Sequence, residues 1–278
     1  MAIDKDCNVM YLDLLKHCLL NTIYHDYEYY DFKPKKKMKR FVFKKLFMPL
    51  FRKENIRVVV AHPYNENERI LGRDCWSPMA HTMIGFKRLD NIQYCVEEII
   101  KNNIPGDLIE TGVWRGGATI FMRAVLKVYG VTDRIVWVAD SFEGLPKPDE
   151  EKYPYDKGDA HYLNKKLAVS LEKVKQNFQK YGLLDEQVSF LKGWFKDTLP
   201  NAPIEKIAVA RLDGDLYRST MDALNNLYHK ISVGGFLIID DYSFKGAKAA
   251  VHDFREKHSI KEKIIPIDWT GVYWQKLY

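Results

Sequence analysis

From Pro105 onward the sequence repeats one pattern: a short apolar run, a turn signal, then in most cases a helical stretch. That alternation constrains the fold more than any other feature. The runs are DLIET, RIVWVAD, QVSFLKG, KIAVARLD, GGFLIIDD, KIIPID and GVYWQK. Residues 204–213 and 236–240 are nearly unbroken apolar segments, as strands buried on both faces read. Strands alternating with helices predict a parallel sheet with right-handed crossovers. The last two runs follow each other closely, which predicts a closing antiparallel hairpin.

Upstream, Leu12, Leu15, Leu19 and Ile23 recur at helical spacing, so residues 11–26 read as a helix with one apolar face. A second helix is expected over about 89–102, ending before Pro105. The chain divides into an N-terminal helical and lid segment, 1–104, and a catalytic α/β domain, 105–278. Of 43 basic residues, ten lie in 33–53 without a single acid; elsewhere 37 acidic residues face 33 basic ones. The basic character therefore belongs to one insert, residues 32–60, and the body is slightly acidic. Cys7, Cys18, Cys75 and Cys95 are scattered without a CxxC pair and read as reduced thiols. The start, MAIDKDCNVM, lacks the features of a signal peptide, and no run of 18 apolar residues exists. A cytoplasmic protein is expected.

The first run leads into ETGVWRGG, residues 110–117. Glycines let a ligand approach the backbone closely, and the next helix presents free N–H groups. Doubly wound folds bind nucleotides here. The glycines at 112, 116 and 117 depart from the G-x-G-x-x-G spacing. The second run ends in Asp140-Ser141, where an acid is placed to take both ribose hydroxyls of an adenosine ligand. Glu110 narrows the ligand: a carboxylate repels a pyrophosphate but suits an ammonium and a sulfonium. That favours S-adenosylmethionine over a nicotinamide dinucleotide. After the third run, Trp194 and Asp197 could flank and hydrogen-bond adenine, and Arg115 is a further candidate contact. A tight strand-to-helix junction, an N-cap at Asp140, an ordinary loop around Trp194 and an exposed Arg115 are the plainer readings.

The fourth run ends in LDGD and the fifth in DD. A right-handed crossover sets these strands side by side, so Asp213, Asp240 and Asp241 would converge in one crevice. Crowded carboxylates repel unless a cation neutralises them, and oxygen-only ligands indicate a hard ion such as Mg²⁺. A metal lowers the pKa of a bound hydroxyl, and a nearby carboxylate or histidine can remove its proton. A sulfonium methyl is already activated, so the enzyme mainly aligns oxygen, carbon and sulfur. Asp215 reads as the N-cap of a helix over 217–230. Solvated turn aspartates are the plainer alternative.

Several stretches are jointly specific: YLDLLKHCLLNTIY, MIGFKRLDNIQYCVE, IETGVWRGGA, ADSFEGLPKPD, LAVSLEKVKQNFQKYGLLDEQVSFLKGWFKDTLP, RLDGDLYRSTMDALNNLY and GGFLIIDDY. Over residues 11–276 the chain resembles the macrocin O-methyltransferase family, which methylates sugar hydroxyls on natural products. The resemblance implies a class I S-adenosylmethionine-dependent methyltransferase fold, a Rossmann-like seven-stranded α/β sheet with an N-terminal helical and lid extension. It implies Met83, Glu110, Gly112, Asp140, Ser141, Asp197 and Trp194 around S-adenosylmethionine. It implies Mg²⁺ on Asp213, Asp240 and Asp241, with Asp213 or His161 as the base. The implied acceptor is a sugar or a glycosylated molecule. The apolar N-terminal helix suggests a homo-oligomer.

Residues 32–60 match no part of the family pattern in length or charge. They read as a solvated charged face, as a patch over the active-site mouth for an anionic acceptor, or as a membrane-surface helix. Three rival functions remain. An NAD-dependent oxidoreductase leaves Glu110 and the three aspartates unexplained. A nucleic-acid methyltransferase would use the basic insert, but no Asn/Asp-Pro-Pro-Tyr motif is present, and no nucleic acid is expected as partner. A non-catalytic scaffold would not need intact glycine, ribose and metal positions.

Overall fold

The computed structural model describes residues 5–23, 27–63, 65–73 and 77–278. The chain opens with α1 (Lys5–Leu20), β1 (Tyr27–Asp31), α2 (Lys37–Val42), a π turn (Phe43–Phe47), α3 (Met48–Lys53), β2 (Val59–Pro63), α4 (Glu66–Ile70) and α5 (Phe86–Lys101). The alternating part follows: β3 (Asp107–Thr111), α6 (Gly117–Val128), β4 (Val136–Asp140), α7 (Leu171–Lys180), β5 (Val188–Lys192) and α8 (Phe195–Thr198). It closes with β6 (Ile207–Leu212), α9 (Tyr217–Leu227), β7 (Ile231–Ile239), α10 (Lys245–Lys257), β8 (Ile265–Pro266) and β9 (Val272–Gln275).

All seven apolar runs become strands of one sheet, ordered β5-β4-β3-β6-β7-β9-β8. Strands β3 to β7 are parallel, and β9 runs antiparallel to both β7 and β8. Strand β6 buries all six residues because it is central, whereas edge strand β5 is only half-buried. Side chains alternate between the faces. Leu108, Val136, Val138, Val209, Phe236 and Ile238 join the core shared with α1, α5, α6 and α7. Ile109, Trp137, Ala139, Ala210, Leu237 and Ile239 join the core shared with α9 and α10. Each large apolar side chain withdrawn from water contributes about 1.5–3 kcal/mol, which clamps helices to both faces.

Helix α1 buries Leu12, Leu15 and Leu19, as its spacing predicts, but it stops at Leu20. Asn21 turns left-handed (φ 57), and Thr22 N–H bonds back to the His17 carbonyl, a helix-ending arrangement. Ile23 therefore falls outside the helix and is 37% exposed. Residues 24–26 of the expected helix, and Cys75, lie outside the described residues. Cys7, Cys18 and Cys95 are free. Among the described residues, no helix is long and apolar enough to cross a membrane.

Candidate active site

The strand order reverses between β3 and β6, where α/β sheets open a crevice beyond the strand ends. Gly112 makes that crevice narrow at its floor. Its φ is +85, and a Cβ there would sit 1.7 Å from the Asp213 carbonyl oxygen. Gly117 is equally constrained, since a Cβ would meet the His81 carbonyl at 2.4 Å. A cavity of ≈ 320 Å³ opens above the turn, lined in part by Met83, Gly112, Asp140, Ser141, Trp194 and Asp213. Asp140 ends β4. Its Oδ2 accepts the Val113 N–H at 2.8 Å and its Oδ1 the Phe142 N–H at 2.6 Å. Ser141 Oγ also lies 3.4 Å from Oδ1, and the carboxylate lines the cavity. Burial pushes this carboxyl up, and the N–H donors pull it back.

Three expected cofactor residues lie elsewhere than in the cavity wall. Arg115 donates to the Ser77 and Pro78 carbonyls at 3.1 Å, bonds Ala80 as well, and stacks on Trp114, so it clamps the 77–80 loop. The Asp197 side chain is 56% exposed and pairs with Lys196 at 3.2 Å. Glu110 is buried beneath the turn, with Oε1 paired to Arg211 and Oε2 lacking a hydrogen-bond partner. Burial lifts its carboxyl to about 7 against the pull of Arg211.

Beside the cavity, Asp213, Asp215 and Asp241 bring carboxylate oxygens within 4.8 Å of one another. Asp213 and Asp215 line the cavity; Asp241 Oδ2 accepts the Asp215 N–H at 2.9 Å. All three carboxyls are held well above the usual range, by burial first and then by mutual repulsion. This oxygen-only set fits a hard divalent cation. Asp240, expected in the set, is differently placed. Its Oδ2 takes Arg88 at 2.6 Å and its Oδ1 pairs with Arg211. Burial works against its charge, but the two guanidiniums outweigh that and hold the carboxyl low. Asp240 thus meets two guanidiniums, while the carboxylate oxygens gathered within 4.8 Å belong to Asp213, Asp215 and Asp241.

His161 stands in a short turn, 161–163, and is exposed. Its Nδ1 is 2.7 Å from Asp159 Oδ2, and its ring stacks on Phe244 at 5.8 Å. The Asp159 charge adds to the upward push on the Asp215 carboxyl.

A family model described as Macrocin-O-methyltransferase (TylF) matches residues 8–276. The chain belongs to the macrocin O-methyltransferase family. It is an S-adenosylmethionine-dependent O-methyltransferase. It is 50% identical over 272 residues to the 8-demethyl-8-(2,3-dimethoxy-alpha-L-rhamnosyl)-tetracenomycin-C 4'-O-methyltransferase of Streptomyces olivaceus, covering 98% of this chain and 94% of that one. Identity to the demethyldecarbamoylnovobiocin O-methyltransferase of Streptomyces niveus is 58% over 215 residues, 77% of this chain and 82% of that one. The solved structure of the O-methyltransferase NovP matches with a TM-score of 0.82 at 48% identity, covering 98% of this chain and 100% of that one.

In this macrocin O-methyltransferase family member, sequence reasoning missed the part that three neighbours of the site play: Asp215, Arg211 and Arg88. From the sequence Asp215 reads as a helix cap, but Asp156 does that work, accepting the Tyr217 and Arg218 N–H groups at 2.6 and 3.3 Å. Asp215 is thereby free to face Asp213 and Asp241. Arg211 carried a signal: a cation inside the apolar run KIAVARLD must find buried acids. Arg88 carried none, because its partners Asp240 and Asp268 are distant in sequence.

Proposed function

We propose that this O-methyltransferase transfers the methyl group of S-adenosylmethionine to a hydroxyl of a sugar or glycosylated acceptor, assisted by Mg²⁺ at Asp213, Asp215 and Asp241. One observation carries the metal: three carboxylates within 4.8 Å, two of them in the cavity wall, with no lysine or arginine on Asp215 or Asp241 among the ion pairs of the described residues. A bound divalent cation would lower the pKa of an acceptor hydroxyl and orient it. Asp140 takes the ribose hydroxyls, and Met83, Ser141 and Trp194 pack around the adenosine. The relatives named for rhamnosyl-tetracenomycin and novobiocin intermediates support a glycosylated acceptor.

Asp213 is the proton acceptor in this reading. Arg211 holds its Oδ2 at 3.0 Å, which fixes the carboxylate and leaves the other oxygen to take the proton. The Asp159–His161 pair favours a second reading, with His161 as base and Asp159 setting its tautomer. His161→Ala separates the two: turnover survives if Asp213 is the base. Residues 1–104 form the helical and lid segment, and the enzyme is a cytoplasmic homo-oligomer, for which the free thiols and the exposed apolar residues of α1 give support.

The test is turnover with a labelled methyl donor over a panel of glycosylated acceptors. EDTA should abolish activity and Mg²⁺ restore it. Asp241→Asn should lose turnover while calorimetric affinity for S-adenosylmethionine stays unchanged. Full turnover after EDTA treatment would reject the metal and leave plain acid–base chemistry.

A further inference from the structure

The basic insert is unused by the site, since no residue of 27–63 lines the cavity. It forms an arm. Strands β1 and β2 pair as an antiparallel ribbon, from Tyr27 opposite Pro63 to Asp31 opposite Val59. Helix α2, the π turn and α3 bridge the ribbon's far end, and none of their residues is buried. Pro49 explains the π turn. It has no N–H to give Lys45, and its ring would crowd that carbonyl, so the chain widens just before it.

Phe43, Phe47 and Phe51 form a triangle with each pair of ring centroids 6.2 Å apart, and Phe32 packs edge-on against Phe43 at 5.2 Å. These aromatic contacts tie the arm's segments together at its surface, where Phe47 is still 47% exposed. Met38, Val42, Leu46 and Leu50, spaced four apart in the sequence, are turned to water. Met38 is 80% exposed, Leu46 68% and Leu50 57%. Ten cations and no acid occupy 33–53 around these side chains.

Such a face asks for two things at once: anions for the cations and an apolar phase for the leucines. A soluble anionic acceptor or a nucleic acid supplies only the first. A second copy of this chain offers a body with 37 acids against 33 bases, a weak counter-charge. An anionic bilayer supplies both, phosphates at the surface and acyl chains beneath. We propose that the arm docks on an anionic phospholipid surface through Met38, Leu46, Leu50 and their flanking cations. The ribbon also touches the catalytic body, because Lys166 lies over the Tyr30 ring at 5.9 Å and Leu167 is in the cavity wall. Docking therefore holds the catalytic body at the membrane, whichever acceptor the site takes.

The experiment is co-sedimentation of the full chain with vesicles of phosphatidylcholine alone or mixed with phosphatidylglycerol. Binding is expected to the mixed vesicles only and to weaken as salt rises. Lys44→Ser and Lys45→Ser should each lower affinity about fivefold. Leu46→Ser with Leu50→Ser should lower it by about tenfold or more, with the salt dependence kept because every cation remains. Unchanged calorimetric affinity for S-adenosylmethionine shows that each variant is folded. Equal binding to both kinds of vesicle, binding to neither, or binding that persists in the variants overturns the proposal. So does a sedimentation-velocity result in which the leucine variant loses a dimer that the vesicles never bound, since the face then belongs to a second copy.

Discussion

Arg88 offers the sharpest test of how the fold holds its acidic cluster. It reaches from α5 to two acids, donating through Nη1 to Asp240 at 2.6 Å and through Nε to Asp268 at 2.9 Å. All three side chains are nearly sealed from water, at 5–7% exposure. Arg88→Met keeps most of the volume and deletes the charge. Removing one partner of a buried pair costs about 3–5 kcal/mol, because the other charge is left without compensation. Two pairs break here, yet Asp240 keeps Arg211, and Asp268 Oδ1 keeps the Thr270 and Gly271 N–H groups at 3.0 and 2.8 Å. The loss should therefore sit at the low end, about 3 kcal/mol. Adding Asp268→Asn removes the orphaned charge and should return about 1–2 kcal/mol. Urea unfolding at pH 7 measures both variants. Activity should fall further than cofactor affinity, since Asp240 loses one of the two groups that fix it beside Asp241. A loss under about 1 kcal/mol, or a double variant less stable than the single one, would refute the idea that Arg88 compensates buried charge.

Asp140→Ala should weaken S-adenosylmethionine binding by about 1.5–3 kcal/mol, tenfold or more by calorimetry, and unchanged affinity in a folded variant would remove the ribose assignment. Gly112→Ala should abolish cofactor binding or folding, because its Cβ has only 1.7 Å to the Asp213 carbonyl oxygen at φ +85; a soluble variant of normal affinity would mean that the turn is loose. His81, half-buried and 2.6 Å from the Tyr181 hydroxyl, is pushed down to about 4 by burial first and by nearby cations. The unfolded chain binds the proton more readily, so this contribution is complete above pH 6.5 and drains away as pH falls towards 4. Discounted for partial exposure, it is ~1–2 kcal/mol. His81→Phe should flatten the stability profile in that window, and an unchanged slope would count against the shift.

The sequence alone determined the sheet. Seven runs became its seven strands: the central ones read as apolar throughout because they are buried on both faces, and the helices between them cover those faces. The glycine turn and Asp140 were legible for a related reason: their positions follow from where β3 and β4 end, which is local information. What the tertiary structure decided is where each buried carboxylate points. Asp240 and Asp241 are adjacent and chemically identical, yet one is locked between Arg88 and Arg211 and the other faces Asp213 and Asp215. That division depends on an arginine 152 residues away in sequence. Asp215 joined the cluster only because Asp156, from a distant loop, capped α9 in its place. A charge withdrawn from water must be met by whatever opposite charge the packing brings within about 3 Å, and no pattern of nearest neighbours in the chain records that choice.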